Sequence, residues 1–113
     1  MFESDVDDEF YANLLKATKD GKIGWVRVRG KSAETWTGAG KISISLMPSV
    51  ELFDERIGPY LHLRHTVYRV DYSLRITERQ HDELLAAMGE MPTALESLLA
   101  TAREAIDALV EEE

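Results

Sequence analysis

Hydrophobic positions divide the 113-residue chain into helical ends and a strand-rich middle. Val6, Phe10, Leu14 and Ala17 recur at steps of four, four and three, the stripe of a helix with one buried face. Ser4 stands where an N-cap belongs, and Asp5, Asp7 and Asp8 follow in the opening turn. Lys16 and Lys19 suit the negative end of the dipole, and Gly21 is a natural stop. This spacing predicts a helix over 5–20.

A period of two then takes over across 22–76. Residues 22–29 read as a strand closed by Gly30, with Val26 and Val28 on one side and Trp25, Arg27 and Arg29 on the other. Ile23 and Trp25, apolar themselves, leave open which side faces the core. Residues 34–47 continue extended, and Gly38 and Gly40 predict a bulge or hairpin turn. Ile42, Ile44 and Leu46 alternate with Ser43 and Ser45, as on a half-buried strand. Val50 and Leu52 make a short further strand before a loop over 54–59. Residues 60–76 lack any turn residue, yet one straight strand of that length would run to roughly 56 Å, too long for a small domain. Leu61 and Leu63 are odd, whereas Tyr68, Val70, Tyr72, Leu74 and Ile76 are even. A one-residue shift between Arg64 and Val67 keeps both sets on one face, which predicts a bulge or sharp bend there.

Helical signals return at Thr77–Gln80, a capping box for a helix over 78–89. Pro92 to Glu96 caps a longer helix over 93–110, whose apolar stripe is broad. The whole order predicts one α+β domain over 1–113: an N-terminal helix, an antiparallel sheet of three to five strands, and two C-terminal helices packed on one sheet face. The other face of the sheet is left open.

Composition, 44% hydrophobic and 30% charged, fits a folded chain, and no apolar run reaches the roughly 18 to 20 residues of a membrane span. The acidic opening is unlike the basic start of a signal peptide, so a cytoplasmic location is expected. The lack of cysteine removes disulfides, thiolate metal sites and cysteine nucleophiles. Net charge is −8, concentrated at the ends. Glu3, Asp5, Asp7, Asp8 and Glu9 open the chain, while Glu104, Asp107 and Glu111 to Glu113 close it against Arg103 alone. This balance disfavours bulk attraction to nucleic acid or anionic lipid. If the first and third helices pack antiparallel, the two ends converge as one acidic pole.

Catalytic constellations find little support. His62 and His65 would point to opposite faces of a regular strand and meet only through the bend, and His81 brings Asp82 and Glu83 as further metal ligands without a conventional spacing. Thr37 to Ile42 fails as a phosphate loop, since Thr35 and Ile42 stand where Gly and Ser or Thr are needed. No Gly-x-Ser-x-Gly occurs, and Asp71, between Arg69 and Arg75, suits a cross-strand ion pair. Neither an enzyme nor a metal or cofactor site is expected.

Two binding surfaces remain. Protein–protein contact through the acidic residues Asp5, Asp7 and Asp8 is the first reading, with the ends mimicking a polyanion for a basic partner. The alternative is a ligand- or nucleic-acid-binding module in which Trp25, Arg27 and Arg29, joined by Trp36, Arg69 and Arg75, occupy the open sheet face. The C-terminal stripe packs on the sheet by default, and its breadth also permits pairing with a partner or as a two-fold homodimer.

The run Leu14-Leu15-Lys16-Ala17-Thr18-Lys19-Asp20-Gly21-Lys22-Ile23-Gly24-Trp25 resembles the helix–turn–strand opening of small phage and prophage proteins. The likeness covers about a dozen residues. It implies a mobile-element origin more than any activity, and small proteins of that kind often inhibit or modulate a host factor. It carries over no catalytic residue.

Overall fold

Ile44 stands opposite Leu63, and Leu46 opposite Leu61, on two antiparallel strands at the centre of the fold. The computed structural model describes residues 2–37 and 40–111. In chain order the elements are β1 (Phe2–Asp5), α1 (Asp8–Lys19), β2 (Val26–Arg29), β3 (Ser32–Thr37), β4 (Ile42–Met47), β5 (Val50–Leu52), β6 (Glu55–Ile57), β7 (Tyr60–His65), β8 (Val70–Arg75), α2 (Glu78–Met88) and α3 (Ala94–Glu111). Six strands form a mixed sheet in the order β1-β8-β7-β4-β3-β2, and β5 and β6 make a separate hairpin. The α+β class stands, but the expected antiparallel sheet of three to five strands is corrected to these eight.

β1 is the main departure from the local pattern. Residues 2–5 pair parallel with β8, from Phe2 beside Tyr72 to Asp5 beside Arg75. The helix expected over 5–20 therefore starts at Asp8. Asp7, rather than Ser4, is its cap, its carboxylate accepting from the Phe10 N–H at 3.0 Å. Glu3 and Asp5 instead meet Arg75, at 3.6 and 3.0 Å. A carboxylate suits a helix start and a position beside an arginine equally, so local pattern alone could not separate the two.

The parity change in 60–76 has a different cause from the expected bulge. β7 and β8 are joined by a four-residue hairpin turn, so Leu61 faces Leu74 and Leu63 faces Tyr72. Arg69 takes the left-handed conformation the turn needs (φ 55°), although it is not a glycine. The His65 ring Nδ1 stabilises the turn by accepting from the N–H groups of Val67 and Tyr68, at 3.3 and 3.1 Å. A similar surprise ends β5, where Phe53 and Asp54, both at positive φ, form a two-residue turn inside the stretch read partly as loop. The Gly38 part of the expected turn lies outside the described residues.

One face of the sheet is apolar and carries α1 and α2. Leu46, Leu61 and Leu84 are completely buried there, with Ala33, Ile44 and Ile76 around them. Both helices start beside the end of β8 and finish near β2, because the Val6 N–H reaches the Arg75 carbonyl and α2 follows β8 through Thr77. The predicted Thr77 capping box is present, with both reciprocal bonds formed. Tyr11 on α1 joins the helices by donating its hydroxyl proton to the Glu83 carboxylate on α2. Burial, and then that carboxylate, push the Tyr11 hydroxyl well above its ordinary pKa.

α3 departs from the expectation that both C-terminal helices pack on the sheet. It buries no residue and meets the body chiefly at β2, where the Arg27 N–H bonds the Pro92 carbonyl at 2.9 Å. The molecule is accordingly elongated, 56 by 32 by 31 Å. Because α3 does not pack along α1, the expected acidic pole is not assembled; Glu112 and Glu113 of that pole lie outside the described residues. Among the described residues, no helix is long and apolar enough to cross a membrane.

The β5–β6 hairpin is tied to α2 by Arg56, whose Nη2 lies 3.1 Å from the Glu78 Oε1. A hydrogen bond from Ser49, and then Arg56, hold the Glu78 carboxyl below its usual range. A depressed carboxyl pKa makes this tether complete at neutral pH and progressively lost as pH falls through the folded-state value. Amide exchange within β5 and β6, corrected for intrinsic rates, should be faster at about pH 3 than at about pH 6, and Glu78→Gln should remove that difference. Equal protection at both pH values would contradict the tether.

Candidate functional site

The residues proposed for binding do not form one surface. Trp25 sits in the segment between α1 and β2, folded inward to only 5% exposure. Its indole N–H donates to the Thr18 hydroxyl at 3.1 Å, and that hydroxyl donates to the Leu14 carbonyl at 2.8 Å. A buried indole needs such a partner, and the last turn of α1 supplies it. The Thr35 hydroxyl bonds the Gly24 carbonyl and fixes the same segment over β3. Trp25 is thus a core residue, which corrects its expected place on an open face. Arg27 and Arg29 are exposed on β2, an edge strand.

The N-terminal carboxylates are also partly committed. Asp5 is paired with Arg75 and Asp7 caps α1. Asp8, exposed in the first turn of α1, complements the helix dipole. These positions account for the local acidity through structure.

The polar sheet face has a groove that sequence reading reached only through Trp36. Glu34, Trp36, Ser43, Ser45, His62 and Arg64 line a shallow volume of about 340 Å³. Trp36 is 52% exposed at one end. Asp71 lies 3.9 Å from the Arg64 Nε and 3.1 Å from the His62 Nε2. The second contact misses hydrogen-bond alignment, leaving that buried ring nitrogen without a hydrogen-bond partner among the described residues. The Ser43 hydroxyl donates to Glu34 at 3.0 Å. Glu34 and Asp71 therefore offset the Arg64 guanidinium, and the groove lacks the continuous basic path a polyanion requires. Alternation placed these residues on one face, but only the strand order β7-β4-β3 brings them together.

The histidines lie apart in function. His62 faces the groove, His65 organises the β7–β8 turn, and His81 is buried on α2, with its ring nitrogens near the Asp82 carboxylate and the Lys31 carbonyl. Among the described residues, no group of three or more histidines and carboxylates is placed to hold a metal ion.

Among the described residues, α3 carries the longest series of exposed large aliphatic side chains. Leu95, Leu98, Leu99, Ile106, Leu109 and Val110 are each 58–65% exposed. Single exposed leucines are ordinary, whereas six on one face of one helix form a contiguous patch of the kind that marks interaction sites. The tip of the β5–β6 hairpin is a second, smaller apolar cluster around Phe53. α3 is well capped, since the Thr93 hydroxyl accepts from the Glu96 N–H and the Glu96 carboxylate accepts from the Thr93 N–H, both at 3.1 Å. With so little packing against the body, the 18-residue helix draws little stability from the rest of the chain. The sequence signal for this site was the breadth of the stripe.

Replacing Trp25 by Ala should act on stability. Loss of its packing and its bond to Thr18 should cost about 3 to 5 kcal/mol, read as a lower urea midpoint by far-ultraviolet circular dichroism. An unchanged midpoint would contradict the buried position. No protein-family model matches the chain, and neither a curated protein nor a solved structure shows significant similarity to it.

Proposed function

We propose that this chain is a small acidic binding protein without a catalytic step, acting through protein–protein contact at the apolar face of α3. The observation that carries the reading is the exposure of six large aliphatic side chains on a helix that buries no residue of its own. Such a helix gains its stability from whatever covers that face, so folding of α3 and binding are coupled. The resemblance of residues 14–25 to small phage proteins supports a modulator of other proteins as the wider role. The acidic N-terminal residues support the contact less well, because Asp5 and Asp7 already have partners within the chain.

A photo-reactive amino acid placed at Leu99 or Ile106 tests this in the protein's own cells. Irradiation should give protein adducts of discrete mass at both positions, and none from the same group placed at Ala12, which is exposed on α1. The absence of any discrete α3 adduct would overturn the reading.

A further inference from the structure

The spacing along α3 indicates what covers it. Leu95, Leu99, Ala102, Ile106 and Leu109 follow one another at four, three, four and three residues, the repeat of a coiled-coil seam. Glu96 and Arg103, two turns apart, lie on the same flank of that seam. Leu98 and Ala105 occupy the other flank. In a parallel helix pair each flank meets the opposite flank of its neighbour, which would set Arg103 against Leu98. In an antiparallel pair each flank meets itself, so only that orientation offers these charges to one another.

Resting on the α3 contact proposed above, we infer that the occupant is a second copy of this chain. Two α3 helices pair antiparallel about a two-fold axis passing between Ala100 and Thr101, with Glu96 of each copy beside Arg103 of the other. Leu95 then lies opposite Ile106, Leu99 opposite Ala102 and Leu98 opposite Ala105 of the second copy. Large side chains in the middle of the seam therefore meet small ones, as close packing of two helices requires. The register is also selected by charge. A shift of one heptad in one direction sets Arg103 against Arg103, and in the other direction Glu96 against Glu96.

Extent and shape agree with this pairing. The register overlaps residues 94–107 of the two helices, most of α3, and leaves Leu109 opposite Pro92, just ahead of the second copy's helix. The six exposed aliphatic side chains amount to on the order of 500 Å² of apolar surface per copy, the larger part of a partner's share in a standard interface. α3 leaves the body at the β2 edge, so the two bodies sit at opposite ends of the overlap, their helix starts about 20 Å apart along the axis, with the last turn of each α3 beside the body of the other.

The absence of cysteine makes the orientation directly readable. Sedimentation equilibrium of the full chain should give the mass of two copies at micromolar concentration. Under mild oxidation, a mixture of the Leu99→Cys and Ala102→Cys proteins should cross-link, while neither protein alone does so. Arg103→Glu should weaken association about tenfold by replacing two attractive pairs with two repulsive ones, and mixing it with Glu96→Arg should restore association. Cross-linking by Leu99→Cys alone would show a parallel pair and overturn the inference. A wild-type chain that stays monomeric at about 100 μM would overturn it too. If such a monomer still gave a discrete adduct with another protein at Leu99, the second copy would be excluded while α3 remained the contact surface.

Discussion

The width of the sheet and the supply of helices decide the rest of this structure. Six strands at about 4.8 Å spacing make a face roughly 24 Å across, and α1 and α2 run over it side by side from β8 towards β2. Leu46, Leu61 and Leu84 meet beneath them with no exposed surface. A third helix finds α1 and α2 already seated on that side. On the reverse side it would meet Glu34, His62, Arg64 and the serines of β4, polar groups it could not satisfy. α3 is therefore excluded from both faces, and the same accounting that completes the core leaves its leucines uncovered.

Specific bonds fix how the two core helices lie. Tyr11 reaches across to Glu83, and the Trp25 indole closes the end of α1 through Thr18 and the Leu14 carbonyl. These contacts make residues that looked available for recognition part of the frame. Trp25 combines a large apolar area with a single polar atom, and the fold uses both. Asp5 and Asp7 follow the same logic at the other end of α1, where one holds an edge strand to Arg75 and the other satisfies a helix N–H.

What could be read without coordinates depended on the range of the interaction. The Thr77–Gln80 capping box, the Gly89 stop and the alternation through β4 are local, and each was legible. The parallel pairing of Phe2–Asp5 with Tyr72–Arg75 joins segments some seventy residues apart and leaves no periodic mark. The β7–β8 turn and the β5–β6 turn were hidden because Arg69, Phe53 and Asp54 adopt positive φ where glycine would have announced a turn. Ser43 and Ser45 were visible as the polar side of an alternating strand, but the groove they share with Trp36 and Arg64 depends on strand order. For α3 the pattern was correct and the inference from it was not, since an apolar stripe says that a face is covered without saying by what.

That distinction gives the molecule two separable layers of hydrophobic chemistry. The inner layer lies between sheet and helices, and its burial is completed within one chain. The outer layer, on α3, begins beyond Pro92 and buries none of its residues, so a change at Leu99 or Ile106 reaches the proposed contact without reaching Leu46 and Leu61. Apolar area on α3 supplies attraction of no particular direction. Direction comes from the flanking charges, because a Glu and an Arg two turns apart on one flank are complementary only to the reverse of themselves. In the proposed pairing the sheet and its two helices carry α3 outward from the β2 edge as the contact element, apart from the polar groove lined by Trp36 and Arg64.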